Sequence, residues 1–279
     1  MSNAVLITGC SSGIGHETAR HLAARGMRVY ATARRPAALD DLRAAGCETL
    51  ACDVTDEDSM RACVEAVEEA EGAVGALVNN AGYSQSGAIE TVPIKSVRRQ
   101  FETNVFGLIR MCQLVLPAMR EAGAGRIVNV SSMGGKLTFP GGGIYHATKH
   151  AVEALSDALR FEVKGFGVQV VVIEPGLIRT GFADAAMDAM KDVDDTGPYG
   201  EFNRAIAEGT VGAYEGRSFS LLGGGPEAVA EKIETAIISA NPKPRYKVTA
   251  SARVMMAQRS LMSDRMWDRF LASNLPRPG

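Results

Sequence analysis

No stretch of this chain approaches the roughly 20 consecutive apolar residues that a helix needs to cross a bilayer. The apolar run at the N-terminus is short and passes directly into a Gly-rich segment, so no signal peptide is expected. Basic residues are not in excess. The 30 Lys and Arg stand against 32 Asp and Glu, giving a net charge of −2 and no electrostatic footprint for nucleic acid. Cysteine is sparse, with five residues (Cys10, Cys47, Cys52, Cys63, Cys112) and no Cys-x-x-Cys pair. An odd, scattered set reads as reduced, buried thiols of a cytoplasmic protein, and no metal site is expected. Internal repeats and low-complexity tracts are absent. What remains is 279 residues, 46% hydrophobic and 22% charged, enough for one large α/β domain with a full core.

Short apolar runs punctuate the chain. Ala4–Thr8, Met27–Thr32, Glu48–Cys52, Ala76–Asn79, Arg126–Val130, Gly167–Ile173 and Arg245–Thr249 read as strands. Helical stretches lie between them, from Gly15 to Arg25, Leu39 to Ala45 and Glu57 to Ala70. A longer helical region spans Val92 to Arg120, interrupted near Pro93 and ended after Pro117. Strands alternating with helices predict βαβ units and a parallel sheet. Continuously apolar strands predict helices on both faces.

Four segments carry chemistry. Thr8-Gly9-Cys10-Ser11-Ser12-Gly13-Ile14-Gly15 links a strand to a helix. Its glycines permit a tight turn, and the helix N-terminus offers N–H groups and a positive dipole to a pyrophosphate. Asp53-Val54 follows the third strand and suits an adenine amino group, with a helix cap as the alternative for Asp53. Asn79-Asn80-Ala81-Gly82 ends the fourth strand at the edge where such sheets bind ligands. Tyr145-x-x-x-Lys149 opens a helix that runs on through Ala151–Arg160, and this spacing places both side chains on one face. A phenol ionises near pH ~10. A neighbouring cation and the helix N-terminus are both expected to lower that value.

These motifs, together with Asn104, Ser132 and Pro175-Gly176, stand in the order and at the spacing of the short-chain dehydrogenase/reductase family, which the chain resembles closely over residues 4 to about 180. The Gly-rich turn, Val29–Arg34 and the long C-terminal tail look most like its hydroxysteroid and retinol dehydrogenases. The resemblance implies a Rossmann-type, doubly wound, seven-stranded parallel sheet in a single domain, with strand order 3-2-1-4-5-6-7. It also implies hydride transfer between a nicotinamide and a carbonyl or carbinol carbon. Tyr145 resembles the general acid of carbonyl reduction, and Lys149 the cation that tunes it and bonds the nicotinamide ribose. Ser132, preferred over Ser131 for its interval to Tyr145, would donate to the substrate oxygen. Asn104 would hold a water linking Lys149 to solvent. The implied cofactor surface comprises Gly9, Ser11, Ser12, Gly13, Ile14, Gly15, Arg34, Asp53, Val54, Asn80, Ala81, Gly82, Tyr145, Lys149, Pro175, Gly176, Ile178 and Thr180. Thr180 matches the position that bonds the carboxamide.

No carboxylate follows the second strand, where Ala31-Thr-Ala-Arg34-Arg35 stands. A carboxylate would repel a 2′-phosphate, whereas Arg34 can clamp one, with Ser12 in reach, so NADP(H) is favoured over NAD(H). Residues 181–225 match the family's substrate lid. Phe182, Met187, Met190, Tyr199, Phe202, Tyr214 and Phe219 within it suggest a hydrophobic ketone or alcohol. In the C-terminal extension, about 250–279, Met255, Met262, Met266 and Phe270 recur at near-helical intervals among arginines. Domain capping or lid packing is favoured there over membrane contact. Ala147, Ala151, Ala154 and Ala158 form a small-residue stripe that suits a homodimer or homotetramer. Two alternatives remain: a ketoreductase for carrier-bound β-ketoacyl or polyketide chains, and a non-catalytic NADP(H)-binding sensor.

Overall fold

The computed structural model describes residues 2–191, 193, 196–215 and 221–273. Seven parallel strands form one sheet in the order β3-β2-β1-β4-β5-β6-β7. They are β1 (Ala4–Ile7), β2 (Arg28–Ala33), β3 (Glu48–Ala51), β4 (Ala76–Asn79), β5 (Gly125–Val130), β6 (Val168–Pro175) and β7 (Arg245–Val248). Ile7 lies opposite both Ala31 and Val78, so β1 is central, and the chain reverses its direction of winding between β1 and β4. That reversal opens a crevice at the carboxyl edge of the sheet. The strands are buried end to end in the middle of the sheet and half-exposed at its margins, β3 and β7.

Two cores follow from the two faces. Ile7, Leu22, Ile173 and Ile233 meet on one, beneath α1 (Gly13–Ala24) and a later helix, Pro226–Ile238. Leu6, Val67, Met111, Ile127 and Val152 meet on the other. There the sheet is covered by α3 (Glu57–Glu71), α5 (Gly107–Glu121) and α6 (Gly143–Glu162), with the short α4 (Ile94–Phe101) before α5, while the short α2 (Asp40–Ala44) sends Leu42 into the first core. Each such aliphatic side chain contributes about 1.5–3 kcal/mol on burial.

The long helical region departs from expectation. Pro93 is the N-cap of α4 and interrupts nothing, and Pro117 is carried inside α5, which continues to Glu121. The break falls at Glu102–Phe106, a π-helical turn in which the Gly107 N–H reaches back to the Glu102 carbonyl. Gly107 lies so close to the Val54 carbonyl that a Cβ there would overlap it. The extra residue lets α5 seat on the sheet while Asn104 turns inward.

Beyond β6 the chain makes an excursion whose two ends are clasped. Ile178 bridges Gly224, and Arg179 N–H donates to the Gly224 carbonyl at 2.8 Å. Within it lie α7 (Phe182–Met190) and α8 (Gly200–Glu215). Phe202 and Ile206 pack with Ala88, Met190 and Tyr199, while Phe219 lies outside the described residues. After β7 come Ala250–Leu261 and Asp264–Ala272, separated at Ser263, which caps the second helix by accepting from Met266 N–H. Among the described residues, the apolar cluster of this tail includes no residue of the excursion. Its buried Ala252, Met256 and Trp267 gather around Leu137, with Met133 and Phe139 alongside. Trp267, not Met266, faces inward, and Met266 is 49% exposed.

Candidate active site

The Gly-rich turn sits on the crevice. Gly9 and Gly13 hold φ of 72° and 62°, a region that side chains other than Gly rarely enter. A Cβ on Gly9 would stand 2.8 Å from Ala81 Cα, and one on Gly13 would stand 3.2 Å from Thr180 Cβ. The turn is thus pressed between the ends of β4 and β6. Ser12 caps α1 with extended backbone but no side-chain bond, and the first turn holds no acid. Ser11 and Ser12 are exposed. Thr8 Oγ1 accepts from the N–H groups of Asn80 and Ala81, each at 3.0 Å. Asn80 Nδ2 donates to the carbonyls of Thr8 and Gly9 at 3.0 Å. Asn80 therefore acts on the turn itself: its amide nitrogen braces the loop.

The remaining cofactor candidates divide. Arg34 is exposed just beyond β2, and among the described residues neither Arg34 nor Arg35 is recorded in an ion pair. Asp53 is not the cap of α3; that role falls to Asp56, which accepts from Ser59 N–H at 2.8 Å. Asp53 Oδ1 instead turns its own loop, accepting from Thr55 N–H and Oγ1 at 3.0 and 2.8 Å. Val54 and Ile178 bury their side chains in the two cores, and Ile14 packs partly against one of them, leaving mainly backbone to face a ligand. Gly176 N–H donates to the Val248 carbonyl at 3.0 Å, and Leu177 N–H to Ser251 Oγ at 3.0 Å, so the start of the tail fixes Pro175-Gly176.

The four catalytic candidates converge at the same edge. Tyr145 and Lys149 lie on the first two turns of α6, with Lys149 Nζ 5.9 Å from the centre of the Tyr145 ring. Lys149 is buried and donates from Nζ to the Val130 carbonyl at 2.9 Å. Ser132 follows β5, its Oγ accepting from Gly134 N–H at 3.0 Å and hydrogen-bonded to the Tyr145 hydroxyl. Ser131 is buried behind it, with no hydrogen-bond partner recorded for Oγ. Asn104 Nδ2 donates to the Tyr83 carbonyl at 2.9 Å and to Thr148 Oγ1 at 3.1 Å, and its Oδ1 accepts from Tyr83 N–H. Thr148 Oγ1 in turn donates to the Tyr145 carbonyl at 2.7 Å. A Cβ on Gly82 would lie 3.1 Å from Asn104 Oδ1 and 3.8 Å from Lys149 Nζ, so Gly82 keeps the space between them open.

The expected lowering of the Tyr145 pKa is not what this arrangement produces. Burial raises it, the hydrogen bond with Ser132 opposes that rise, and the nearby Tyr214 of α8 adds to it. Lys149 is pulled down to about 8, because burial penalises the ammonium more than Glu153 stabilises it. Desolvation acts against the charged form of both groups, and here it outweighs their proximity.

The glycine cradle, the uncapped start of α1 and the space above Gly82 fit a dinucleotide. Comparison with known proteins agrees. The family model "short chain dehydrogenase" matches residues 3–191. The chain is a short-chain dehydrogenase. It is 37% identical to "Uncharacterized oxidoreductase YbbO" of Escherichia coli (strain K12), covering 97% of this chain and 94% of that one. It is 34% identical to "NADPH-dependent 3-dehydrocapnine reductase" of Ornithobacterium rhinotracheale, over 98% and 97%. Identity to "17-beta-hydroxysteroid dehydrogenase type 6" of Bos taurus is also 34%, over 98% and 89%. A short-chain dehydrogenase/reductase from Burkholderia phymatum, solved in complex with NAD, superposes with a TM-score of 0.78 at 28% identity, over 99% and 97%. The dehydrogenase is accordingly an oxidoreductase acting on CH–OH and C=O groups with a nicotinamide cofactor.

Two residues of this dehydrogenase escaped the motif reading. His146, next to Tyr145, is buried, and burial lowers its pKa to about 4, so the ring is neutral at pH 7. Its Nδ1 lies 3.1 Å from the Gly134 carbonyl and donates to it, tying α6 to the segment after Ser132. Trp267 Nε1 donates to the Thr138 carbonyl at 3.3 Å. Its ring lies 5.9 Å from that of Phe139, which lies 6.0 Å from His146, which lies 5.6 Å edge-on to Tyr145. The signal for His146 was its place inside the Tyr-x-x-x-Lys motif, and for Trp267 that it is the only Trp in the chain. Trp267→Ala removes the outer end of this row of rings. In denaturant unfolding it should lose about 3–5 kcal/mol, the range for deleting a buried large aromatic. A loss below about 1 kcal/mol would show that the tail does not hold the 133–139 segment.

Proposed function

We propose that this chain is an NADP(H)-dependent reductase/dehydrogenase for a lipophilic ketone/alcohol pair. The observation that carries the reading is the meeting of Tyr145, Ser132 and Lys149 at the sheet edge that also holds the Gly-rich turn. When bound, the reduced cofactor supplies hydride to the carbonyl carbon. Ser132 holds the substrate oxygen, and Tyr145 gives that oxygen its proton. Lys149 sets the electrostatics of Tyr145, and Asn104, across the gap kept by Gly82, positions the water that replenishes the proton. Gly9, Gly13, Gly15 and the start of α1 would hold the pyrophosphate, Thr180, beside Gly13, would bond the carboxamide, and Asp53 would accept from the adenine amino group.

Arg34 supports NADP(H): it is exposed at the end of β2, where an NAD-selecting carboxylate would otherwise stand. The name of the 3-dehydrocapnine reductase points the same way. The apolar packing of Met190, Tyr199, Phe202 and Ile206, with Tyr214 near Tyr145, supports a lid over an apolar substrate. Ala147, Ala154 and Ala158 of α6 are exposed, as are Phe161 at 84% and Phe106 at 52%. A second copy packing α6 against its own equivalent would cover this face.

Tyr145→Phe should abolish nearly all turnover of a ketone panel, followed by loss of reduced-cofactor absorbance, while NADPH affinity stays close to wild type. Retention of more than about a tenth of kcat, a barrier change of only ~1.4 kcal/mol, would refute the assignment. Arg34→Ala should raise KM for NADPH by the equivalent of roughly 1.5–3 kcal/mol and leave NADH use nearly unchanged; equal loss with both cofactors would make Arg34 structural. In light scattering, Ala154→Arg should convert the oligomer to monomer with cofactor binding retained, and a wild type already monomeric at micromolar concentration would exclude the α6 interface.

A further inference from the structure

Beneath the catalytic candidates lies a buried cluster of charge that the proposed reaction does not use. Glu153, one turn after Lys149 on α6, is 3% exposed. Its Oε2 receives Lys136 Nζ at 2.9 Å and Arg245 Nε at 3.0 Å. Lys136 belongs to the segment that carries Ser132, and Arg245 opens β7. Gly135 lies so close that a Cβ there would stand 2.9 Å from Glu153 Cγ. Glu174, immediately before Pro175-Gly176, is 0% exposed, and no hydrogen bond is recorded to either carboxyl oxygen, although Arg245 Nε lies 3.4 Å from Oε1. Burial and the charge of Glu153 both favour the protonated acid at Glu174. Arg245 also reaches Asp157 at 2.6 Å, and Asp157 pairs with Arg160.

Burying these ions costs desolvation free energy that the pairing offsets only in part, because Glu153 Oε1 and both Glu174 oxygens have no hydrogen bond recorded. Glu153 is where its connections meet. Through Lys136 it holds the Ser132 segment, through Arg245 it holds β7 beside the end of β6, and through α6 it stands one turn from Lys149. Glu153 is the buried carboxylate on this helix whose charge opposes the desolvation of Lys149.

We propose that Glu153 is a positioning residue of the active site, fixing the Ser132 segment against α6 and holding its carboxylate one helical turn from Lys149. The proposal rests on the catalytic reading of Tyr145 and Lys149 given above. The charged and titratable groups facing Glu153 are Lys136 from the Ser132 segment, Glu174 from β6 and Arg245 from β7, with Lys149, His150 and Asp157 on its own helix. Removing the negative charge of Glu153 lowers the pKa of Lys149. Removing the positive charge of Lys136 leaves Glu153 less neutralised and raises it.

The test is a titration of Lys149 by NMR in cofactor-free protein labelled at the lysine ε-carbon, with Lys149→Met supplying the assignment. Glu153→Gln keeps the shape and an accepting oxygen, and should move the Lys149 titration down by about one unit. Lys136→Met should move it up, and Glu153→Asp should restore most of the wild-type value. The alkaline limb of the kcat profile should follow in the same two directions. Shifts of one sign in both Glu153→Gln and Lys136→Met, or an unmoved Lys149 accompanied only by lower stability, would overturn the proposal. If Glu153→Gln fails to fold, the upward shift in Lys136→Met and the restoration in Glu153→Asp still decide it. Opposite NMR shifts with an unmoved alkaline limb would uphold the role of Glu153 toward Lys149 while refuting the catalytic reading of Lys149.

Discussion

The rest of this site depends on holding a buried lysine beside the phenol of Tyr145. Lys149 is buried beside a half-buried phenol, and desolvation works against the ionised form of each. The protein answers with oriented partners: a carbonyl at the end of β5 for Nζ, and a hydrogen bond with Ser132 for the phenol. A Lys149 titrating near 8 is still mostly protonated at neutral pH, so its charge is available to the phenol that exchanges a proton in the proposed reaction. Those partners lie on different segments, and their value rests on the rigidity of what holds them.

That rigidity comes from the sheet edge. Thr8 Oγ1 and the Asn80 amide bind the ends of β1 and β4 together, which presents the Gly-rich turn to the crevice with its backbone exposed to a ligand. Asn104 and Thr148 couple the π-helical turn to the backbone of Tyr145. His146 and the Trp267–Phe139 contact hold the segment after Ser132 from the other side. The catalytic candidates Tyr145, Lys149 and Ser132 thus rest on neighbours that are themselves hydrogen-bonded, the kind of support that pre-organises a site.

Much of this was legible in the sequence, and the reasons differ by residue. The strands were readable because burial on both faces demands continuous apolar runs, and Tyr145 and Lys149 because helical spacing alone places them on one face. Strand order came from resemblance, since alternation of strands and helices does not specify which strands are neighbours. The π-helical turn was invisible: residues 102–106 have no Pro or Gly to mark it, and only the packing of Gly107 on Val54 requires the extra residue. Burial decided against the expected pKa of Tyr145, and burial is a tertiary quantity. In the tail, Met255, Met262 and Phe270 pack on one apolar cluster as their spacing suggests, whereas Met266 is exposed because a new helix starts at Ser263 and turns Trp267 inward. Asn80 was placed at the cofactor by its motif, yet its side-chain nitrogen serves the turn.

The most direct measurement follows the hydrogen itself. The pure protein is incubated with an apolar ketone and NADPH deuterated at both C4 positions, and the alcohol product is analysed by mass spectrometry. The account predicts one deuterium bound to the carbinol carbon and an exchangeable proton on oxygen. Alcohol without carbon-bound deuterium, or cofactor left unconsumed across apolar ketones while polar or carrier-bound substrates are reduced, would contradict it.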